Sequence, residues 1–248
     1  MKNLFALSAG VMLISSLAYG ETTSIKYSGH SGIAPVADVS ISMTANNNNY
    51  ENSLDGKGVG IASVTRMIIK AKSKGTTGGT TAPNWAQVWS SRKGDTRNTI
   101  ITYKQPTPNI TITPNWKPRS KNEILNRNQI INSIDPMATL MKMTNQMRLK
   151  DSCWGSFNVS DGRSALNVTL VSGGKEQVST TAYKGNAHIC QVKIKALSGR
   201  VLRDAKAGSV ETANVYFAKI KGKEYPVPVK ITGKFAGFGI SLNADSIK

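Results

Sequence analysis

Ala37-Asp38-Val39-Ser40-Ile41-Ser42-Met43-Thr44 sends every second side chain to an apolar face and the others to a polar one. A two-residue period of this kind belongs to an extended strand with one buried and one wetted face, the mark of antiparallel sheet. The pattern returns in Leu166-Asn167-Val168-Thr169-Leu170 and in Val227-Pro228-Val229-Lys230-Ile231-Thr232. In Cys190-Gln191-Val192-Lys193-Ile194-Lys195-Ala196 it puts Cys190 on the inward face and Lys193 and Lys195 on the outward one. Further strands are predicted over 24–30, 67–74, 85–91, 99–104, 109–113, 213–220 and 240–244. Gly75-Thr76-Thr77-Gly78-Gly79, Lys93-Gly94-Asp95, Asp161-Gly162-Arg163, Gly173-Gly174 and Lys221-Gly222-Lys223 are turn chemistry between them, and the Asn run 46–49 suits a hairpin tip.

One stretch breaks the alternation. Ser120-Lys121-Asn122-Glu123 reads as a capping box, and Asp135-Pro136 as an N-cap followed by proline at the first helical position. Met137, Leu140, Met141 and Thr144 follow at helical spacing, which predicts one helix, or a broken pair, within 124–147. Neither an internal repeat nor a long linker interrupts the rest, so 21–248 reads as a single mostly-β domain.

Residues 1–20 read as a secretory signal peptide. Lys2 supplies the positive start, the apolar run covers 4–17, and Ala18-Tyr19-Gly20 sets small residues at the positions a leader peptidase needs before Glu21. The run is short for a membrane span and no cysteine stands near the cut, so the expectation is an exported, unlipidated periplasmic protein with no transmembrane span in its mature chain. Cys153 and Cys190 are the only cysteines, and in an oxidising compartment an isolated pair forms one disulfide. A zinc site using His188 as a third ligand lacks a fourth, so no metal is expected.

Lys and Arg number 32 against 14 Asp and Glu, a formal charge of +18. Such an excess favours anionic partners. Export excludes nucleic acid and leaves phospholipid head groups, lipopolysaccharide phosphates and cell-wall carboxylates as the anions within reach. A diffusely basic, solvated surface is the alternative.

Several segments, in order, resemble an uncharacterised bacterial envelope family, domain of unknown function 3108. They are Ile134-Asp135-Pro136-Met137-Ala138-Thr139-Leu140, then Cys153 through Val159-Ser160-Asp161-Gly162-Arg163, then His188-Ile189-Cys190-Gln191-Val192 and Ala196-Leu197-Ser198-Gly199. Tyr225-Pro226-Val227-Pro228-Val229-Lys230-Ile231 and Gly237 complete the set. Ser160 stands where the family usually has Phe. The resemblance implies a mainly β protein whose single large antiparallel sheet curls into an open barrel or spiral, with the helix packed in its concave side. In outline this is similar to periplasmic carriers that hold acyl chains in a half-barrel.

Chemistry is sparse. The chain has no Gly-x-Ser-x-Gly elbow, no His-Glu-x-x-His and no phosphate-cradling loop, and His30 and His188 are its only imidazoles. His30 reads as a turn histidine and His188 as one packed beside the disulfide. Asp135 is accounted for by capping and Asp161 by its turn. Trp85, Trp89, Trp116 and Trp154 read as core or rim packing. No catalytic residue and no cofactor are expected. The reading is a non-enzymatic envelope protein that supports envelope integrity by binding a lipidic or anionic component. Met137, Leu140 and Met141 would line an apolar interior, and Lys193, Lys195, Lys219, Lys221 and Lys223 would face anionic groups. A structural adaptor for another envelope protein, and a wall- or lipid-acting hydrolase, are the alternatives.

Overall fold

A computed structural model describes residues 20–78, 81–104, 106–115, 117–118, 120–203, 210–235 and 238–248; residues 1–19, Gly79, Trp116 and Gly237 lie outside them. The strands are β1 (Glu21–Ser31), β2 (Ala34–Ala45), β3 (Asn49–Gly58), β4 (Ile68–Thr76), β5 (Ala82–Arg92), β6 (Asp95–Thr102) and β7 (Asn109–Thr113). After α1 (Pro136–Lys150), the one α-helix among the described residues, come β8 (Gly155–Ser160), β9 (Ser164–Ser179), β10 (Lys184–Gly199), β11 (Val210–Ala218), β12 (Val227–Phe235) and β13 (Phe238–Ile247). All 13 form one antiparallel sheet in the order β7-β6-β5-β4-β3-β2-β1-β13-β12-β11-β10-β9-β8. Two meanders thus share a seam between β1 and β13, and β7 and β8 are the free edges of an unclosed spiral.

The edges approach without pairing. The β8–β9 turn is held by Asp161, whose carboxylate accepts from the amides of Arg163 and Ser164. Ser160 is buried there, accepting from the Gly162 amide and donating to the Ser164 carbonyl. Gly162 has φ +83°, and a Cβ on it would lie 2.5 Å from Cγ2 of Thr99 in β6. Only glycine satisfies both demands. Edge β8 is also covered, because the amides of Ile134 and Ser160 bond to Asn158 and Ile134 carbonyls in a parallel bridge.

Helix α1 fills the concave side. Its first turn is capped by Asp135, which accepts from the Met137 and Ala138 amides at 2.8 and 2.9 Å. Met137, Ala138, Leu140, Met141, Met143 and Met147 are all buried, packed against Ile25, Tyr27, Ile41 and Met43 of the sheet. Cys153, just past the helix, is joined to Cys190 of β10 with Cα atoms 5.8 Å apart.

Four details depart from the sequence reading. The helix begins at Pro136, and 121–130 holds only 3-10 turns, Lys121–Glu123 and Arg127–Ile130. A residue before proline is pushed out of the α region, and Asp135 sits at φ −85°, ψ 167°, so no earlier helix can run into it. The Ser120 side chain makes no capping bond and Glu123 is buried instead. Gly173-Gly174 is not a hairpin turn but lies inside β9, where the register slips against β10 between His188 and Cys190. Strands β3 and β8 were not among those predicted.

Candidate functional site

Met137, Leu140 and Met141 sit where an apolar ligand would have to lie, and they are already packed, at 4%, 8% and 0% exposure. Between helix and sheet, a cleft bordered by Thr23, Met43, Met141, Thr144 and Tyr225 has room for about one water, 10 Å³. In this conformation helix side chains occupy the volume an acyl chain would need.

At the start of the helix the same interior holds an acid. The Ser73 hydroxyl in β4 donates to Asp135 Oδ2 at 2.8 Å, and Tyr50 of β3 stands 3.1 Å from Ser73 Oγ. Burial pushes the Asp135 carboxyl up to about 6, against the pull of the bonds from Ala138, Ser73 and Met137. Tyr50 and Tyr103 are in turn raised above the usual phenol range, by burial first and by the Asp135 charge second. The Tyr103 hydroxyl is buried without a hydrogen-bond partner. Asn52 adds a donor to the Met137 carbonyl at 3.2 Å. The group anchors the helix N-terminus, and with Asp135 at 1% exposure its carboxyl does not meet a dissolved substrate.

The two imidazoles lie elsewhere. His188 is half-buried near Lys175, Asp151 and Lys219, and burial, then Lys175, lower its pKa while Asp151 opposes. His30 is the penultimate residue of β1, opposite Ser241. Among the described residues no cluster of three or more His, Cys, Asp or Glu side chains could hold a metal ion.

The lysines singled out in the sequence are not brought together. Lys193 and Lys195 are exposed on β10, opposite Thr212 and Val210. Lys219, Lys221 and Lys223 belong to the β11–β12 turn, at the other end of that ladder. Lys219 lies 2.6 Å from Asp151, a bond that lowers the aspartate's pKa. Lys223 donates to the Thr22 carbonyl at 3.1 Å and stands 3.6 Å from Glu21. The indoles of Trp85 and Trp89 are half-buried in β5, while Trp154 is exposed with Lys150 Nζ 5.1 Å from its ring centre.

Two surface features escaped the sequence reading. Lys70, Lys72 and Lys74 alternate with buried Ala71 and Ser73 along β4, and so form an outward row. Lys70 and Lys74 reach Asp55 and Glu51 across β3. Their i, i+2 spacing was in the sequence as a signal. The second feature is apolar: Ile33, Ile61 and Val64 are 100%, 72% and 76% exposed at the end of the sheet away from the helix C-terminus. Their short apolar positions sit among turn residues, where no period marks them.

An open, helix-filled antiparallel spiral of this kind defines a class of β-barrel-like proteins. Residues 24–243 match the family described as protein of unknown function DUF3108, and the chain belongs to that family. It is also similar to the crystal structure of a β-barrel-like protein of domain of unknown function DUF1849 from Brucella abortus. The two share 6% identity at a TM-score of 0.54, over 92% of this chain and 97% of that one. No curated protein matches. At that identity the likeness concerns the fold.

Proposed function

We propose that the protein is an exported, non-enzymatic component of the bacterial envelope that supports envelope integrity by binding an anionic or lipidic envelope component at its surface. The observation that carries this reading is the excess of cations, +18 over the whole chain, carried outward by strands such as β4 and β10 on a sheet whose inner face is filled. The buried disulfide fits an oxidising compartment. Among the described residues no helix is long and apolar enough to cross a membrane.

A second reading, an adaptor that grips another envelope protein, is favoured by the filled interior together with the exposed apolar residues at the sheet end. Native mass spectrometry of protein taken from its own periplasm separates the two. Retained phospholipid or anionic glycan supports the first reading. A bare chain held in a complex with a second protein replaces it with the other.

A further inference from the structure

The apolar residues at the sheet end form one rim. The Val59 amide donates to the Val36 carbonyl at 3.1 Å, Gly58 to Met67 at 2.9 Å and Lys93 to Thr65 at 3.1 Å. These bonds close the loop that carries the 3-10 turn Gly60–Thr65 and set it against the start of β2, just past the β1–β2 turn (Gly32, Ile33), and against the β5–β6 turn (Lys93, Gly94). In a 3-10 turn residues i and i+3 eclipse, so Ile61 and Val64 project together. That turn contains no buried residue, and its two large apolar side chains therefore add nothing to the core. Met67 extends the strip at 43% exposure.

Cations collar the rim. Arg66, Arg92 and Lys93 are exposed, and none has a carboxylate within 4 Å among the described residues. The acids nearest in the strands are already engaged, Asp95 by Arg97 and Asp38 by Lys57.

We propose that this rim docks on an anionic bilayer, with Ile33, Ile61 and Val64 entering the boundary between head groups and acyl chains while Arg66, Arg92 and Lys93 meet the phosphates. The assignment rests on the reading of the protein as an envelope binder and adds which end of it makes the contact. Three features favour lipid over another occupant. The side chains stand on two separate turns, Ile33 wholly exposed on one and Ile61 with Val64 on the other, which a fluid layer admits and a rigid partner would have to match with a pocket for each. The collar is complementary in charge to anionic head groups. A two-fold contact with a second copy would set Arg66, Arg92 and Lys93 against their own equivalents, like charge on like.

The test uses vesicles of phosphatidylglycerol and phosphatidylcholine, against pure phosphatidylcholine, with partitioning read by co-sedimentation. The wild-type chain binds the mixed vesicles and not the neutral ones. The combined variant Ile33→Ser, Ile61→Ser, Val64→Ser loses about 100-fold or more of that affinity at an unchanged melting temperature. Arg66→Gln, Arg92→Gln, Lys93→Gln loses about 10-fold or more, and the loss shrinks as salt rises. The Trp that Ile61→Trp adds, read as the difference from the wild-type chain with its four native tryptophans, is quenched on vesicles with brominated acyl chains. Wild-type partitioning by the serine variant, or an added Trp left unquenched on bound protein, overturns the rim assignment and leaves surface binding elsewhere on the protein standing. Absence of vesicle binding overturns it too, while anionic glycan retained in native mass spectrometry would keep the broader reading. A dimer in sedimentation velocity that the serine variant abolishes gives the rim to a second copy instead.

Discussion

The two ends of the spiral are built from the same strands and solve opposite problems. At the end where α1 leaves, charges are matched: Arg148 meets Glu224 at 2.7 Å, Lys219 meets Asp151 at 2.6 Å and Lys223 approaches Glu21. Tyr225 lies under Arg148 and donates to the Asn46 carbonyl, and the disulfide fastens the chain that follows the helix. At the other end Ile33, Ile61 and Val64 face outward and the cations beside them lack carboxylate partners. One end spends its polar groups on holding the fold. The other keeps Ile33, Ile61 and Val64, with Arg66, Arg92 and Lys93, out of the core and out of ion pairs among the described residues, which is the distribution expected of a contact surface.

The largest expected effect is at the matched end. Replacing Cys153 and Cys190 together with Ala opens a loop of 37 residues, and by the chain-entropy account the loss is about 4 kcal/mol. Urea unfolding measures it. Hydrogen exchange then sharpens the contrast: amides in the last turn of α1 and in β8 should speed up, while those of 59–67 should stay as they were. Equal acceleration at both ends would show that they do not hold independently.

Asp135 lies between the ends and sets a pH dependence of unusual sign. Its folded pKa, raised to about 6 from 3.8, favours the protonated form in the native state. Its contribution is therefore fully present below about pH 4 and lost as pH rises through about 6, by about 3 kcal/mol. Asp135→Asn cannot ionise and keeps an oxygen for the Met137 and Ala138 amides. The difference in stability between wild type and Asp135→Asn should thus shift in favour of the asparagine between pH 4 and 7, and a difference flat with pH would sink the assignment. Asp135→Ala removes the cap and leaves the Ser73 hydroxyl with the Tyr50 hydroxyl as its partner, costing about 1–3 kcal/mol at pH 4.

How far this molecule could be read from its sequence depends on where each residue's partner lies. Strands whose inner face is apolar throughout, such as 37–44 in β2 and 227–232 in β12, announce themselves by period. Strand β3 does not, because its inward positions include Asn52, and what that amide bonds is the helix backbone at Met137, distant in sequence. Helix entry at Asp135-Pro136 was legible, being local chemistry, whereas the capping box at Ser120 matched a pattern that tertiary packing overrode when it buried Glu123. Gly173-Gly174 had turn chemistry but sits in a bulge imposed by β10. Sequence named Lys219 and Lys223 as surface cations and could not show their partners, Asp151 and Glu21, which fold in from other segments. The rim was silent for the same reason: Ile33, Ile61 and Val64 become a group only when the loop that carries Gly60–Thr65 is set against the start of β2.

Arg148 offers a comparison of cations across the two ends. Its side chain is 20% exposed, ion-paired to Glu224, bonded to Asn145 and stacked 4.7 Å from the Tyr225 ring. Arg148→Ala should cost about 1–2 kcal/mol, from packing and ring contact as much as from charge. Arg66→Gln, Arg92→Gln and Lys93→Gln together should cost stability nothing measurable in the same melts. A destabilising rim variant would mean that those cations do hold the fold.

The smallest effect separates the lysine turn from the rim. Lys219→Gln, Lys221→Gln and Lys223→Gln together remove an exposed pair with Asp151 and a less exposed one with Glu21, the side chains of the latter being 19% and 21% exposed. Pairs of this kind are worth within about 1 kcal/mol each and fade with salt, so the melting temperature should fall slightly at low ionic strength and match wild type at high. Because Lys219 and Lys223 already face carboxylates, they have less charge to offer a bilayer than Arg66, Arg92 and Lys93. The turn variant should therefore weaken binding to phosphatidylglycerol vesicles less than the rim variant does, while being the less stable of the two. The reverse order, strong loss of binding with no change in stability, would move the membrane-facing surface to the helix-exit end and make the ion pairs there incidental.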